Sequence, residues 1–222
     1  MAALRRLACL LVDEPAPERA GDLLEVALAH SPRVEEGGPG LVYLDVAGLR
    51  RLLGEETEIA RRLARAATER GLRARVGIAG SRIAALVAAR RGGGVVVVKP
   101  GEDAAYLASA PIAFLDLEDA MQTRLGHWGI RTLGELAALP AKALFERLGS
   151  GGLRLRQLAR GEDGRPLRSW APLLVFEESV EPGWSMETLE PLGDLLTALA
   201  GRICAQLSRR GLAADRFEWA CR

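Results

Sequence analysis

Gly37-Gly38-Pro39-Gly40-Leu41-Val42-Tyr43-Leu44-Asp45-Val46 reads as a tight turn running straight into a strand. Glycine and proline punctuate the chain, and the apolar, β-branched and aromatic run after them suits a pleated surface. Working outward, Leu7 to Val12 is a second apolar run short enough for a buried strand, broken by Pro15 and Pro17. Between the two, Glu18 to His30 predicts a helix whose apolar face is Leu23, Leu24, Val26, Ala27 and Ala29. Downstream, Glu55 to Arg70 predicts a long helix with Ile59, Leu63, Ala66 and Ala67 on one side and arginines on the other, stopped by Gly71. Arg73 to Ile78 alternates as a half-buried strand does. Ser81 is placed to cap a helix over Arg82 to Arg90, and glycines 92 to 94 lead into Val95 to Val98, read as a strand buried on both faces. The order strand, helix, strand, helix, strand implies an α/β sandwich built on split βαβ units. Because Gly92-Gly93-Gly94 precedes its strand, the order needed for a dinucleotide or P-loop site is missing.

From Pro100 to Gly161 the pattern is helical, in short amphipathic pieces broken at Pro111, Gly129, Pro140 and Gly149 to Gly152. Gly161 to Ala171 reads as a linker. Leu173 to Glu178 predicts a strand, Thr188 to Arg210 a long helix and Asp215 to Cys221 a final strand. Arg70-Gly71-Leu72 and Arg210-Gly211-Leu212 both join a basic helix to a strand, so two α/β modules flank a helical middle. A two-stranded unit buries little surface, and the second module is expected to lack partners.

Composition excludes some classes and leaves others open. With 222 residues, 49% hydrophobic and 27% charged, the chain suits one large domain or a few small ones with a real core. No apolar run approaches a membrane span, and Met1 to Leu7 is not followed by a cleavage pattern, so a cytoplasmic location is expected. Cys9, Cys204 and Cys221 have no metal or disulfide spacing and are read as core cysteines. A net charge of +1 does not announce nucleic acid. Lys99 and Lys142 are the only lysines among 30 basic residues, an arginine bias that phosphate contact or a GC-rich genome would equally produce. The arginines at 61, 62, 65, 70, 73 and 75 form either a solvated face or a phosphate-facing one. His30 and His127 have no acid placed for a triad and are read as structural. Of the four tryptophans (128, 170, 184 and 219), Trp170 in the linker is the candidate for contact with another protein or domain.

Six segments in order carry a family resemblance that spans nearly the whole chain. They are His30-Ser31-Pro32-Arg33-Val34-Glu35, Tyr43-Leu44-Asp45-Val46-Ala47-Gly48 and Val76-Gly77-Ile78-Ala79-Gly80-Ser81-Arg82. Trp128-Gly129-Ile130-Arg131-Thr132-Leu133-Gly134-Glu135-Leu136-Ala137 and Ala159-Arg160-Gly161-Glu162-Asp163-Gly164-Arg165-Pro166 follow. The last is Phe176-Glu177-Glu178 with Arg209-Arg210-Gly211-Leu212 after the helix. Together they resemble the palm, thumb, thumb exit and little-finger opening of Y-family translesion DNA polymerases. The resemblance implies an α+β fold: a mixed-sheet palm-like domain with flanking helices, lacking fingers, over 1–100; a small helical thumb over 101–164; a linker over 165–172; and a partial α/β little-finger module over 173–222.

The departures bear on function. Nucleotidyl transfer in this family uses two divalent ions held by carboxylates. The family's Asp-Glu pair falls on Gly40 and Leu41, which offer none. Asp45, four and five residues further along the strand, does not replace both and is read as structural. Two alignments stand open for the first metal-binding Asp. Either Asp13 is its echo, or residues 4 to 12 correspond to the end of the fingers and the first palm strand is absent. The phosphate-binding Gly-Val-Gly hairpin of the thumb falls on Asp116-Leu117-Glu118, where two carboxylates would repel an anion. Arg82, Arg91, Lys99, Arg131, Thr132 and Arg168 remain DNA-contact candidates, and no catalytic residue, metal or cofactor is expected.

This combination resembles the ImuB group of the family. The resemblance implies a non-catalytic accessory or adaptor subunit in DNA repair and damage-induced (SOS) mutagenesis. Its implied partners are DNA, held weakly, a sliding clamp, an error-prone replicative-type polymerase and a RecA-like accessory protein. A protein-only interaction module that has lost DNA is the alternative. An active polymerase using Asp13 and Asp45 is the least favoured reading.

Overall fold

The computed structural model describes residues 5–13, 19–170, 176–183, 188–209 and 211–220. The sequence readings at Met1 to Leu4, 173–175, Trp184, Arg210 and Cys221 lie outside them. The chain divides into two compact units, Met1–Trp170 and Ala171–Arg222.

The first unit is built on a five-stranded sheet with strand order β2-β3-β1-β4-β5. Strand β1 (Leu7–Leu11) is central. It pairs antiparallel with β3 (Leu41–Asp45) on one side and β4 (Arg75–Ala79) on the other. β2 (Val34–Gly38) forms a hairpin with β3, and β5 (Val95–Val97) runs parallel to β4 at the far edge. With helices α1 (Ala20–Leu28) and α3 (Glu56–Glu69) as crossovers, the first four strands make the expected split βαβ arrangement. A short helix α2 (Arg50–Leu53) precedes α3.

Alternation along β1 divides the core. Ala8 and Leu10 face α1 and α3, together with Val42, Leu44, Val76 and Ile78. Cys9 and Leu11 face the opposite side with Tyr43, where helix α4 (Arg82–Arg91) lies. All five residues of β1 are buried, so the predicted strand forms and both of its faces are covered. The arginines of α3 belong to the crossover side, away from α4. Two strand readings need correction. Val95–Val97 is half-buried rather than enclosed, because the sheet order leaves β5 at an edge with one neighbour. Val34–Gly38 pairs as a strand although its Glu-Glu-Gly-Gly composition carries little strand signal.

Helix α4 sits unusually close to the sheet, and small residues on both sides explain it. Ser81 caps its N-terminus by accepting from the Ala84 N–H, and Ala84, Ala85, Ala88 and Ala89 are fully buried. Opposite them is Gly77 of β4. A Cβ there would stand 2.1 Å from the Ala85 carbonyl oxygen and 2.5 Å from the Ala89 nitrogen.

The helical segment packs on the outer side of α4 rather than standing apart. It consists of α5 (Asp103–Leu107), a 3-10 turn (Ile112–Leu115), α6 (Asp119–His127), α7 (Leu133–Ala138) and α8 (Ala141–Ala159). Leu107, Ile112, Leu125, Leu133, Leu136 and Leu144 share one core with α4 and the sheet. The break expected at Gly149 is a kink inside α8, with φ 62°. Residues 163 to 170 then return along the sheet as a strap. The Asp163 carboxylate is 1% exposed and bound by Arg154 and Arg165. The Asp163 carbonyl accepts from Arg5 at 2.7 Å, ahead of β1. Glu35 of β2 accepts from the Arg168 N–H at 2.5 Å, and the Val34 carbonyl accepts from the Trp170 N–H at 2.5 Å. Glu35 also takes Arg82 through both oxygens, and Trp170 packs against the core on the α1 and α3 side.

In the second unit, α9 (Leu189–Arg209) forms as predicted. Glu178 accepts from Gln206 at 2.5 Å, and Phe217 stacks on Trp219 with ring centroids 6.2 Å apart. The strands read at 173–178 and 215–221 do not form among the described residues, which have no partner strand there to complete a ladder. Cys9 is buried as expected, whereas Cys204 is exposed on α9.

Two outcomes follow for stability. Gly77→Ala forces a methyl against backbone that cannot yield, a cost of about 3 kcal/mol or more by the measure of overpacked cores. Urea denaturation is expected to show the midpoint falling with little change in m. The second outcome concerns acid. Burial pushes the Glu35 and Asp163 carboxyls up, but Arg82 and the Arg168 N–H on Glu35, and Arg165 and Arg154 on Asp163, outweigh it and hold both below the ordinary carboxylate value. Groups lowered on folding contribute stability that is complete above the unfolded carboxylate pKa, ~4, and lost as pH falls through the folded value. Melting temperature should therefore drop on acidification below about pH 5. In Glu35→Gln that acid-dependent part should shrink, and melting measured from pH 7 to 3 checks it.

Candidate functional site

Strand register brings the positions singled out by the sequence to one end of the sheet. Leu11, the last residue of β1, is paired with Leu41 on β3 and with Arg75 on β4. One residue on, the Val12 N–H donates to the Gly40 carbonyl at 2.9 Å. Asp13 thus emerges beside Gly40 and Leu41, and β1 is a true sheet strand that carries Asp13 just past its end. Directly opposed residues in a ladder share a face, so Leu11, Leu41 and Arg75 all point to the α4 side.

The chemistry at this end is spare. Gly40 adopts φ 67°, the left-handed conformation that closes the β2–β3 hairpin and suits glycine. Leu41 packs against the core below α4. The Asp13 carboxylate is bound by Arg75, whose other terminal nitrogen donates to the Arg90 carbonyl at the end of α4, 2.9 Å away. Hard divalent ions want several oxygen donors. Here the described residues present one carboxylate, already paired with a guanidinium, so the donor set does not fit them. No group of three or more His, Cys, Asp or Glu placed to share a metal occurs among the described residues. Asp45 belongs elsewhere. It pairs with Leu7 at the other end of β1, on the order of 13 Å away along the strand. It accepts from Arg33 at 3.2 Å and from the Ala47 N–H at 2.9 Å.

The cationic candidates are dispersed. Arg82 is buried, clamped by Glu35, with its guanidinium 5.2 Å from the Tyr43 ring centroid. Hydrogen bonding to Glu35 raises its pKa further. Arg91 is exposed at the end of α4 and donates to Ser109 at 3.0 Å. Lys99 and Arg168 are exposed, on the loop after β5 and on the strap. Arg131 is exposed just ahead of α7, and the Thr132 hydroxyl is taken up in capping that helix. Glu135 completes the capping box, and the backbone N–H groups of Arg131 and Thr132 hold its carboxyl below the ordinary value. In the link between the 3-10 turn and α6, Asp116 takes φ 51°, a conformation Asp tolerates better than most side chains. Asp116 and Glu118 are exposed, while Leu117 turns into the core. The exposed surface of this link is therefore acidic. Trp170, the protein-contact candidate, is partly covered by its own unit.

Sequence reading assigned no partner to three residues that organise these sites: Arg75, read only as one of a row of arginines, and Glu35 and Asp163, read only as members of motifs. The alternation of Arg73 to Ile78 marked the strand but not Arg75's partner, which lies 62 residues away in sequence.

Residues 14–90 match the impB/mucB/samB family. DNA polymerase IV of Dehalococcoides mccartyi strain CBDB1 is 37% identical over 190 residues, 83% of this chain and 48% of that protein. Protein ImuB of Caulobacter vibrioides strain NA1000 / CB15N is 32% identical over 213 residues, 92% of this chain and 45% of that protein. The chain spans about half the length of these curated relatives. The crystal structure of a DinB-family error-prone DNA polymerase from Sulfolobus solfataricus shares the fold at TM-score 0.57 and 21% identity, over 68% of this chain and 47% of that one. A Dbh polymerase insertion ternary complex gives TM-score 0.56 at 21% identity, over 68% and 45%. With relatives at 37% and 32% identity over 83% and 92% of its length, the chain belongs to the impB/mucB/samB family of Y-family DNA polymerases and their homologues.

Proposed function

We propose that this chain is a non-catalytic relative of the Y-family polymerases that serves as an accessory or adaptor in DNA repair and translesion mutagenesis. The observation that carries this reading is the pair Gly40 and Leu41. The family's carboxylates belong at these positions, and here one is a left-handed turn glycine and the other a half-buried leucine packed against the core. Two-metal phosphoryl chemistry needs those oxygens to align the attacking and leaving groups. The mixed company of relatives, some named DNA polymerase IV and some ImuB, is compatible with a polymerase frame kept for another use.

DNA contact on this reading is weak or partner-assisted. Arg91, Lys99, Arg131 and Arg168 offer exposed cations, but Arg82 is spent on Glu35. A sliding clamp, an error-prone replicative-type polymerase and a RecA-like accessory protein are the partners this reading carries, in the cytoplasm. The acidic link at Asp116 and Glu118 favours a second reading, a protein-only module that has lost DNA.

Primer extension with Mg²⁺ or Mn²⁺ tests the first claim: the pure chain should insert no nucleotide, and reproducible insertion that Asp13→Asn abolishes would overturn it. A primer-template titration at several salt concentrations separates adaptor from protein-only module. An adaptor should bind with log affinity falling linearly against log salt, with a shallower slope in Arg131→Ala. A protein-only module should show no binding at any salt.

A further inference from the structure

We propose that Arg75 is a built-in cation that stands in for a divalent ion at the end of β1, closing this end of the sheet to metal. The inference deepens the reading that Gly40 and Leu41 leave no working metal site and rests on it, but it makes a separate claim about Arg75. Losing two carboxylates leaves a third, Asp13, without a counter-charge at the end of the sheet. Arg75 supplies one from the neighbouring strand. Its backbone is set by pairing with Leu11, and its guanidinium is held from two directions, by Asp13 and by the Arg90 carbonyl. That carbonyl lies at the C-terminus of α4, the end of a helix that attracts cations. Among the described residues the buried Arg75 Nε has no hydrogen-bond partner, so the two terminal nitrogens carry the contacts that hold the guanidinium.

The geometry also explains why a carboxylate restored on β3 would be neutralised. Leu41 and Arg75 flank Leu11 on the same face, so an acid placed at 41 comes within reach of the guanidinium before any ion. A fixed guanidinium disfavours an ion further, because the ion would have to displace a positive charge already paired with Asp13.

The test compares Leu41→Glu with Leu41→Glu/Arg75→Ser in the full chain, titrating Mn²⁺ and following the free-ion signal by electron paramagnetic resonance. Gly40 is left unchanged because its φ belongs to glycine. Wild type and Leu41→Glu should leave the signal unchanged, and the double variant should bind at least tenfold more tightly than either. Equal binding by Leu41→Glu and the double variant would overturn the proposal, as would absence of binding in both. A second measurement is independent of those variants. Melting temperatures of Asp13→Asn, Arg75→Gln and their combination should be non-additive, the combination melting no lower than the worse single change. Fully additive losses would also sink the pair. Neither measurement reads nucleotide insertion, so a primer-extension result against the accessory role is told apart from failure of the Arg75 assignment.

Discussion

The first unit depends on one strand, β1, and on its being paired antiparallel on both sides. Its five residues have no solvent face: the ladder uses its backbone groups in both directions, and its side chains divide between two cores. Every feature with chemical content is placed by this. Gly40 and Leu41 meet Asp13 because β3 lies along one flank, and Arg75 meets it because β4 lies along the other. A slip of one residue in the β1–β4 ladder would exchange the faces of β4 and turn Arg75 toward α3, and one in the β1–β3 ladder would move Leu41 off the face of Leu11. Register is therefore the variable on which the site depends.

The close seat of α4 is the second consequence. Gly77 and the alanines of α4 let the helix backbone approach the sheet, and the helical segment then covers the helix from outside. This makes α4 a shared wall rather than an outer layer. It also fixes Arg82 and Arg90 at the helix's two ends, one held by Glu35 and the other lending its carbonyl to Arg75. The strap after α8 uses the same frame, tying the exit of the helical segment to Arg5 before β1 and to the edge strand β2.

Most helices and the core strands were legible from periodicity, since α1, α3, α4 and α9 each carry an apolar stripe or a cap that local rules detect. The edge strands were less so. β2 contributes Glu35, Glu36 and two glycines, and it pairs because β3 is beside it, not because its residues prefer a strand. That Gly40 and Leu41 carry no carboxylate could be read at once, because it is a property of single residues. The pairings around them could not, because Arg75 with Asp13 and Arg82 with Glu35 are separated by 62 and 47 residues and meet only through the sheet. Trp170 illustrates the same limit: a linker tryptophan looks free until an edge strand accepts its N–H.

The two ends of β1 carry two arginine–carboxylate pairs, and their burial separates structure from use. At the N-terminal end Arg6 binds Glu56 through two nitrogens and the Val98 carbonyl at 2.7 Å. The side chains of that pair are 6% and 24% exposed, so removing either partner strands a charge in the core, a loss of about 3–5 kcal/mol. At the other end Arg75 and Asp13 are 27% and 66% exposed. Water screens much of that attraction, and exposed pairs contribute about 1 kcal/mol at most. Loss of this second pair costs the fold a measurable but small amount, whereas the first is part of its frame. Stability thus gives little reason for an arginine at position 75, a strand position next to Leu11 where a smaller residue would pair as well. The charge at the end of β1 makes better sense as a property of the site than of the scaffold.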